Sequence, residues 1–156
     1  MITLNEQEQQ KWNEEVLRCY PNEAVAIVVD GVVIPMENTA ENPEETFSIK
    51  PAQFWQYKDQ IQAVLHSHCH DLNRTSQLDP RIPSKKDMTG QINMGCWWGI
   101  TATEGESTTD ILWFGKDREL EYTGRPFIFN VNDCFELTRD YFRREFNYHI
   151  KPFAIS

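Results

Sequence analysis

Strand-like and helix-like stretches alternate along this 156-residue chain and predict an α/β (α+β-like) domain of ordinary size with an appendage. Three observations carry that expectation. Two apolar runs flank Asp30-Gly31, a dipeptide that closes two-residue hairpins. A further run, Ile61 to Leu65, reads as a buried strand. Near the two ends, Asn5 to Cys19 and Cys134 to Phe146 place apolar residues at helical spacing among charged ones.

Taken in order, Asn5 to Cys19 sets Trp12, Val16 and Leu17 on one side and predicts a helix covering a core, stopped by Pro21. Ala24 to Val29 and Val32 to Ile34 are the hairpin strands, and Glu37 to Glu45 is an acidic loop containing Pro43. Pro51 suits a first helical position, so a helix is expected to continue through Ala52 to Gln60. The strand from Ile61 then runs into His66. Cys69 to Pro83 is a polar loop of a length that is usually functional. Ser84 to Met94 predicts a short helix closed by Gly95, followed by strands at Trp97 to Thr103 and Asp110 to Phe114 around the loop Glu104 to Thr109. Lys116 to Gly124 is a charged linker, and Cys134 to Phe146 is the last helix. A first domain over 1–118 and a separate segment over 119–156 follow.

Composition narrows the partners. A net charge of −9 argues against sequence-independent binding to nucleic acid or to an anionic membrane, which needs clustered Lys and Arg. No apolar stretch approaches the roughly 20 residues that span a bilayer. The polar, acidic start is unlike a signal or transit peptide. Cys19, Cys69, Cys96 and Cys134 are scattered without a CxxC pair, as expected of reduced thiols in a cytosolic protein.

The chemistry concentrates at His66-Ser67-His68. Two imidazoles two residues apart on a strand point to the same side. A carboxylate from a following segment would complete three ligands and leave a fourth position for water, the layout of a catalytic zinc. Two Ser-x-x-Asp elements follow, Ser76 to Asp79 and Ser84 to Asp87. Asp79 precedes Pro80 and is pushed away from helical geometry, whereas Ser84 can cap a helix with Asp87 in its first turn. Local chemistry thus favours Asp87, with Asp79 the alternative. His70 and Cys69 stand nearby as further possible ligands and are not included. Taken singly, each element has an ordinary explanation: Ser-x-x-Asp as a helix cap, and Glu23 as a solvated acid. A nucleobase deaminase site is excluded, because no Pro-Cys-x-x-Cys follows the histidine.

In this order, Glu23, His66-Ser67-His68 and Ser84-x-x-Asp87 resemble the JAMM (JAB/MPN) zinc metallopeptidase family, whose pattern is Glu, His-x-His, seven residues, then Ser-x-x-Asp. Pro83-Ser84-x-x-Asp87 followed by Gly95-Cys96-Trp97-Trp98 is similar, more narrowly, to the JAMM half of the phage lambda-type tail assembly protein K family. The resemblance covers about residues 15 to 115. The chain departs from the pattern in a loop eight residues longer between His68 and Ser84, and in Cys69 where many members have proline. The resemblance implies a central mixed β-sheet flanked by helices, with the metal at strand ends and a short helical extension at the C-terminus. It implies Zn2+ held by His66, His68 and Asp87, Glu23 as general base, and Ser84 as donor to the oxyanion. The implied substrate is a protein or peptide, with other tail tip proteins as partners, in the host cytoplasm during assembly.

Gly124-Arg125-Pro126-Phe127 and Asn132-Asp133-Cys134-Phe135 resemble the start of NlpC-type cysteine peptidases, in which the nucleophilic Cys opens a helix. Cys134 would occupy that place, capped by Asn132 or Asp133, although a cysteine there is also an ordinary small apolar residue. His149 is the one histidine after Cys134 and lies too close to match the family's base, so no thiol-dependent activity is expected of this chain. Phe127, Phe129, Leu137, Tyr141, Phe142 and Phe146 form an apolar face expected to pack on the first domain or on a second copy. Two functions follow from the whole: a JAMM-class zinc peptidase or isopeptidase, or a non-catalytic assembly factor that keeps the fold.

Overall fold

The computed structural model describes residues 2–69, 79–116 and 120–152. Its elements are α1 (Glu6–Cys19), β1 (Val25–Val29), β2 (Val32–Met36), α2 (Pro51–Phe54), β3 (Ile61–Cys69), α3 (Lys85–Met94), β4 (Trp97–Thr103), β5 (Leu112–Phe114) and α4 (Cys134–Phe146). Among the described residues, five strands form one mixed sheet in the order β2-β1-β3-β4-β5. The fold is α+β, a central mixed sheet flanked by helices.

Local chemistry accounts for the pairing. Asp30 and Gly31 both take positive φ, 50° and 74°, as a type I′ turn requires, and this sets Val29 opposite Val32. Pro35 is confined to β2, an edge strand, where its missing N–H breaks no inner ladder. β1 pairs antiparallel with β3, placing Val25 opposite His66. β3 and β4 run parallel, from Ala63 opposite Trp97 to Cys69 opposite Thr103, with α3 as the crossover between them. β3 is therefore central, and its histidines are screened on both sides.

Strand alternation divides the core into two layers. Ala24, Ala26, Val28, Ala63 and Leu65 face α1, whose Trp12 and Val16 are fully buried against them. The small alanines let the helix approach closely, and Trp12 Nε1 donates to Thr101 Oγ1 on β4 at 2.9 Å. Trp12→Ala should cost about 3–5 kcal/mol of unfolding free energy. Urea denaturation measures it, and a loss below about 1 kcal/mol would show that α1 is peripheral to the core.

Val25, Ile27, Val64, Trp98 and Ile100 face the other way, toward Met88 of α3. A Cβ on Gly90 would fall 2.6 Å from the Trp98 ring, so glycine is what lets α3 lie this close to the sheet. Ile128 and Val131, ahead of α4, join the same cluster. Asn130 Nδ2 also donates to the Pro83 carbonyl at 3.3 Å, tying that segment to the start of α3.

Three expectations need correction. The helix predicted through Gln60 stops at Phe54 and continues only as a 3₁₀ turn, Trp55–Tyr57. Its aromatics do not share a buried side, and Trp55 is 62% exposed. The strand predicted from Asp110 begins at Leu112. Of the two partners expected for the apolar face around α4, the first domain does not cover it: Phe127, Phe129, Leu137, Tyr141, Phe142 and Phe146 remain at the surface of the single chain. The linker expected over Lys116 to Gly124 lies partly outside the described residues.

Candidate metal centre

The site is assembled where β3 ends and α3 begins. His66 and His68 lie on the α3 face of β3, while Ser67 between them turns to the opposite face and its Oγ accepts from Ala24 N at 2.8 Å. Asp87 comes from the first turn of α3 through a reciprocal capping box. Its backbone N–H donates to Ser84 Oγ at 3.1 Å, and its Oδ2 accepts from Ser84 N at 2.8 Å. The parallel crossover puts the start of the helix over the carboxyl end of the strand, the usual position for sites in such units.

Asp87 Oδ1 lies 3.1 Å from His66 Nε2, and Oδ2 lies 3.3 Å from His68 Nε2. All three side chains are buried, and one ligand atom from each falls within 4.8 Å of the others. Ligands about 2.0–2.1 Å from a tetrahedral ion sit roughly 3.3 Å apart, so these spacings fit a shared ion. His66 Nε2 and Asp87 Oδ1 face each other at a spacing that suits two ligands of one ion. His68 Nδ1 lies 2.9 Å from the Pro80 carbonyl and donates to it, which orients the ring so that Nε2 faces the cluster. This group could hold a metal ion.

At His66 and Asp87 the electrostatics favour the metal-binding protonation state, whereas at His68 they favour the imidazolium, which must give up a proton before it can ligate. Burial lowers the His66 pKa and keeps the ring neutral. Burial alone would raise Asp87, but the two imidazoles outweigh it and hold the carboxyl well below its usual range. For His68, burial is outweighed in turn by the hydrogen bond and charge of Asp87, and its pKa rises. Phe47 and Trp98 screen His66, with ring centroids 4.8 and 5.7 Å away.

Glu23 lies two residues before the start of β1. The register that sets Val25 against His66 and Ala24 against Ser67 brings Glu23 to His68, on the same face as the histidines. Only 5% exposed, its carboxyl is pushed up to about 7 by burial, with His68 and Lys86 pulling down and Asp87 pushing up. Its backbone is clamped: Glu23 N donates to Pro43 O at 2.7 Å, and Asn38 Nδ2 donates to Glu23 O at 3.0 Å. Ser84 is exposed; its hydroxyl accepts from Asp87 N and still carries a proton to donate.

The structure separates the two candidate carboxylates. Asp79 is engaged in a bidentate pair with Arg81, at 3.0 and 2.8 Å, and does not join the histidines. Ser76 and His70 lie outside the described residues. The Cys69 thiol donates to Asn22 O at 3.3 Å, and strand alternation puts Cys69 on the Ser67 face of β3, away from the histidines. Cys134 opens α4 and is exposed, with Asp133 rather than Asn132 as the cap. Four residues that support the site escaped sequence reasoning: Asn38, Phe47, Pro80 and Trp98. An Asn in an acidic loop and a Pro carbonyl carry no local signal of what they will meet.

No protein-family model matches this chain, and no curated protein does. Among solved structures, the solution structure of protein DSY2949 from Desulfitobacterium hafniense is similar, with a TM-score of 0.50 and 22% identity over 73% of this chain and 83% of that one. The likeness is one of fold.

Proposed function

We propose that this chain is a JAMM-class zinc peptidase or isopeptidase acting on a protein or peptide during assembly of a phage tail tip, in the host cytoplasm. The observation that carries this is convergence: Glu23, His66, His68, Ser84 and Asp87, spread over 65 positions of sequence, meet at one strand end. The donor set of two imidazoles and one carboxylate suits zinc. A zinc ion held there would polarise the scissile carbonyl and bring the pKa of a water to about 7. Glu23, with a carboxyl poised near neutrality, takes the proton from water and returns it to the leaving amine. Ser84 donates its hydroxyl to the developing oxyanion. The Asp87 carboxylate, anchored by the Ser84 amide, keeps the first turn of α3 in place throughout.

A second reading, a docking factor without turnover, is favoured by the exposed aromatic face of α4. Tyr141, Phe142, Phe146 and Tyr148 stack there with centroids 5.5–6.4 Å apart and face solvent. Among the described residues no helix is long and apolar enough to cross a membrane.

The zinc-loaded protein, assayed on an internally quenched peptide library and an isopeptide-linked peptide pair, should cleave in a chelator-sensitive manner. Cleavage should survive Cys134→Ala. Loss of cleavage in Cys134→Ala would assign the activity to the thiol instead, and absence of any cleavage would favour docking.

A further inference from the structure

Beside the metal centre, a cleft of about 680 Å³ opens between α3 and the segment 47–54. Its walls are apolar: Ile27 and Val64 from the sheet, Trp98 from β4, and Phe47, Ile49 and Phe54 from the segment. Gly90 offers no side chain to fill it, and Thr89 stands at its edge. The volume lies within the usual range for ligand pockets, about 300–1,000 Å³, and leaves room for a large side chain.

The cleft adjoins the metal centre. Asp87 lines both, and Phe47 and Trp98, which also line the cleft, lie against His66 with ring centroids 4.8 and 5.7 Å away. Its rim carries Lys85 and Lys86, a locally basic pair in a chain of net charge −9. The two lysines differ in use. Lys86 Nζ donates to Thr46 Oγ1 and reaches the Phe47 carbonyl at 3.4 Å, so it latches the segment onto α3. Lys85 is exposed and makes no ion pair among the described residues. It sits at the first position of α3, where the helix dipole also favours an anion.

We propose that this cleft is the substrate side-chain pocket of the metal centre. Its occupant is a bulky apolar residue of an extended peptide, with a neighbouring carboxylate that Lys85 recognises. This selectivity rests on the peptidase reading and adds a substrate class to it: apolar-acidic segments. Burial of the large side chain supplies affinity, and the rim charge supplies direction.

The test reads binding rather than turnover. Zinc-loaded protein carrying Glu23→Gln is titrated by fluorescence anisotropy with three labelled peptides: Gly-Gly-Phe-Asp-Gly-Gly, its Phe-to-Ala counterpart and its Asp-to-Lys counterpart. The first should bind about 10-fold or more tighter than the Ala peptide. It should bind about 2- to 5-fold tighter than the Lys peptide, as suits an exposed pair. Thr89→Trp, which fills the cleft from an exposed helix position, should bring the first peptide down to the level of the Ala peptide. Lys85→Glu should invert the preference between Asp and Lys, a gain that a misfolded variant cannot produce. Equal binding of all three peptides, or indifference to both substitutions, overturns the inference. Preference without cleavage by the unsubstituted chain would leave the pocket standing and remove the peptidase reading. Cleavage without preference would do the reverse.

Discussion

Asp87→Ala is expected to abolish zinc binding and also to loosen the start of α3. The residue has two connected jobs, since one oxygen faces His66 while the other accepts from Ser84 N and approaches His68. Its removal leaves the Ser84 amide without its acceptor, and loss of a cap interaction costs about 0.5–2 kcal/mol. Asp87→Asn separates the two roles. It keeps a carbonyl for the Ser84 amide and should retain most of the stability, yet it lacks the charge that partners a divalent ion. Zinc titration together with urea denaturation distinguishes the variants. The sign of the pH effect follows from Asp87 itself: a folded pKa below the ordinary 3.8 gives stability that is present above that value and lost as pH falls below it. Asp87→Ala should therefore flatten the acid limb of the apo protein's stability curve. Zinc retained in Asp87→Ala would mean that the ion is held elsewhere.

Glu23→Gln should lower turnover by about 10²- to 10⁴-fold, the usual worth of a general base, while zinc content is unchanged. The fold should not suffer, and the sign can be checked. Burial raises the Glu23 pKa from 4.5 to about 7, so ionising this carboxylate costs the apo fold stability as pH rises through that window. Glu23→Gln should match the original chain below about pH 4.5 and exceed it in stability above about pH 7. A zinc ion held beside it would pull the carboxyl down, so the proposed activity should fall on acidification at or below pH 7. Lost zinc or lost stability in Glu23→Gln would make Glu23 a ligand or a structural residue.

The parts of the fold legible in the sequence are those specified by local chemistry. Asp30-Gly31 dictates its own turn, and the Gly95 cap, with φ 66°, ends α3 where the spacing predicts. The choice of Asp87 over Asp79 follows from one restriction, the residue before Pro80, and the capping box of Ser84 agrees with it. The rest depends on tertiary encounters. Asn38 makes five hydrogen bonds, all to main-chain groups of residues 23–48, and nothing in an acidic loop announces them. Phe47 reads as one apolar residue in a polar stretch until His66 lies against it. The break after Phe54 arises because Pro51 can start a helix, but no amphipathic face sustains one. The exposed face of α4 was equally out of reach, since helical spacing identifies an apolar stripe without naming what lies opposite.

The central claim is that His66, His68 and Asp87 hold one zinc ion, and elemental analysis of metal-replete protein tests it most directly. One zinc per chain is expected, with none in His66→Ala or His68→Ala and the full amount in Cys134→Ala. No bound metal, iron in place of zinc, or zinc that persists in His66→Ala would contradict it.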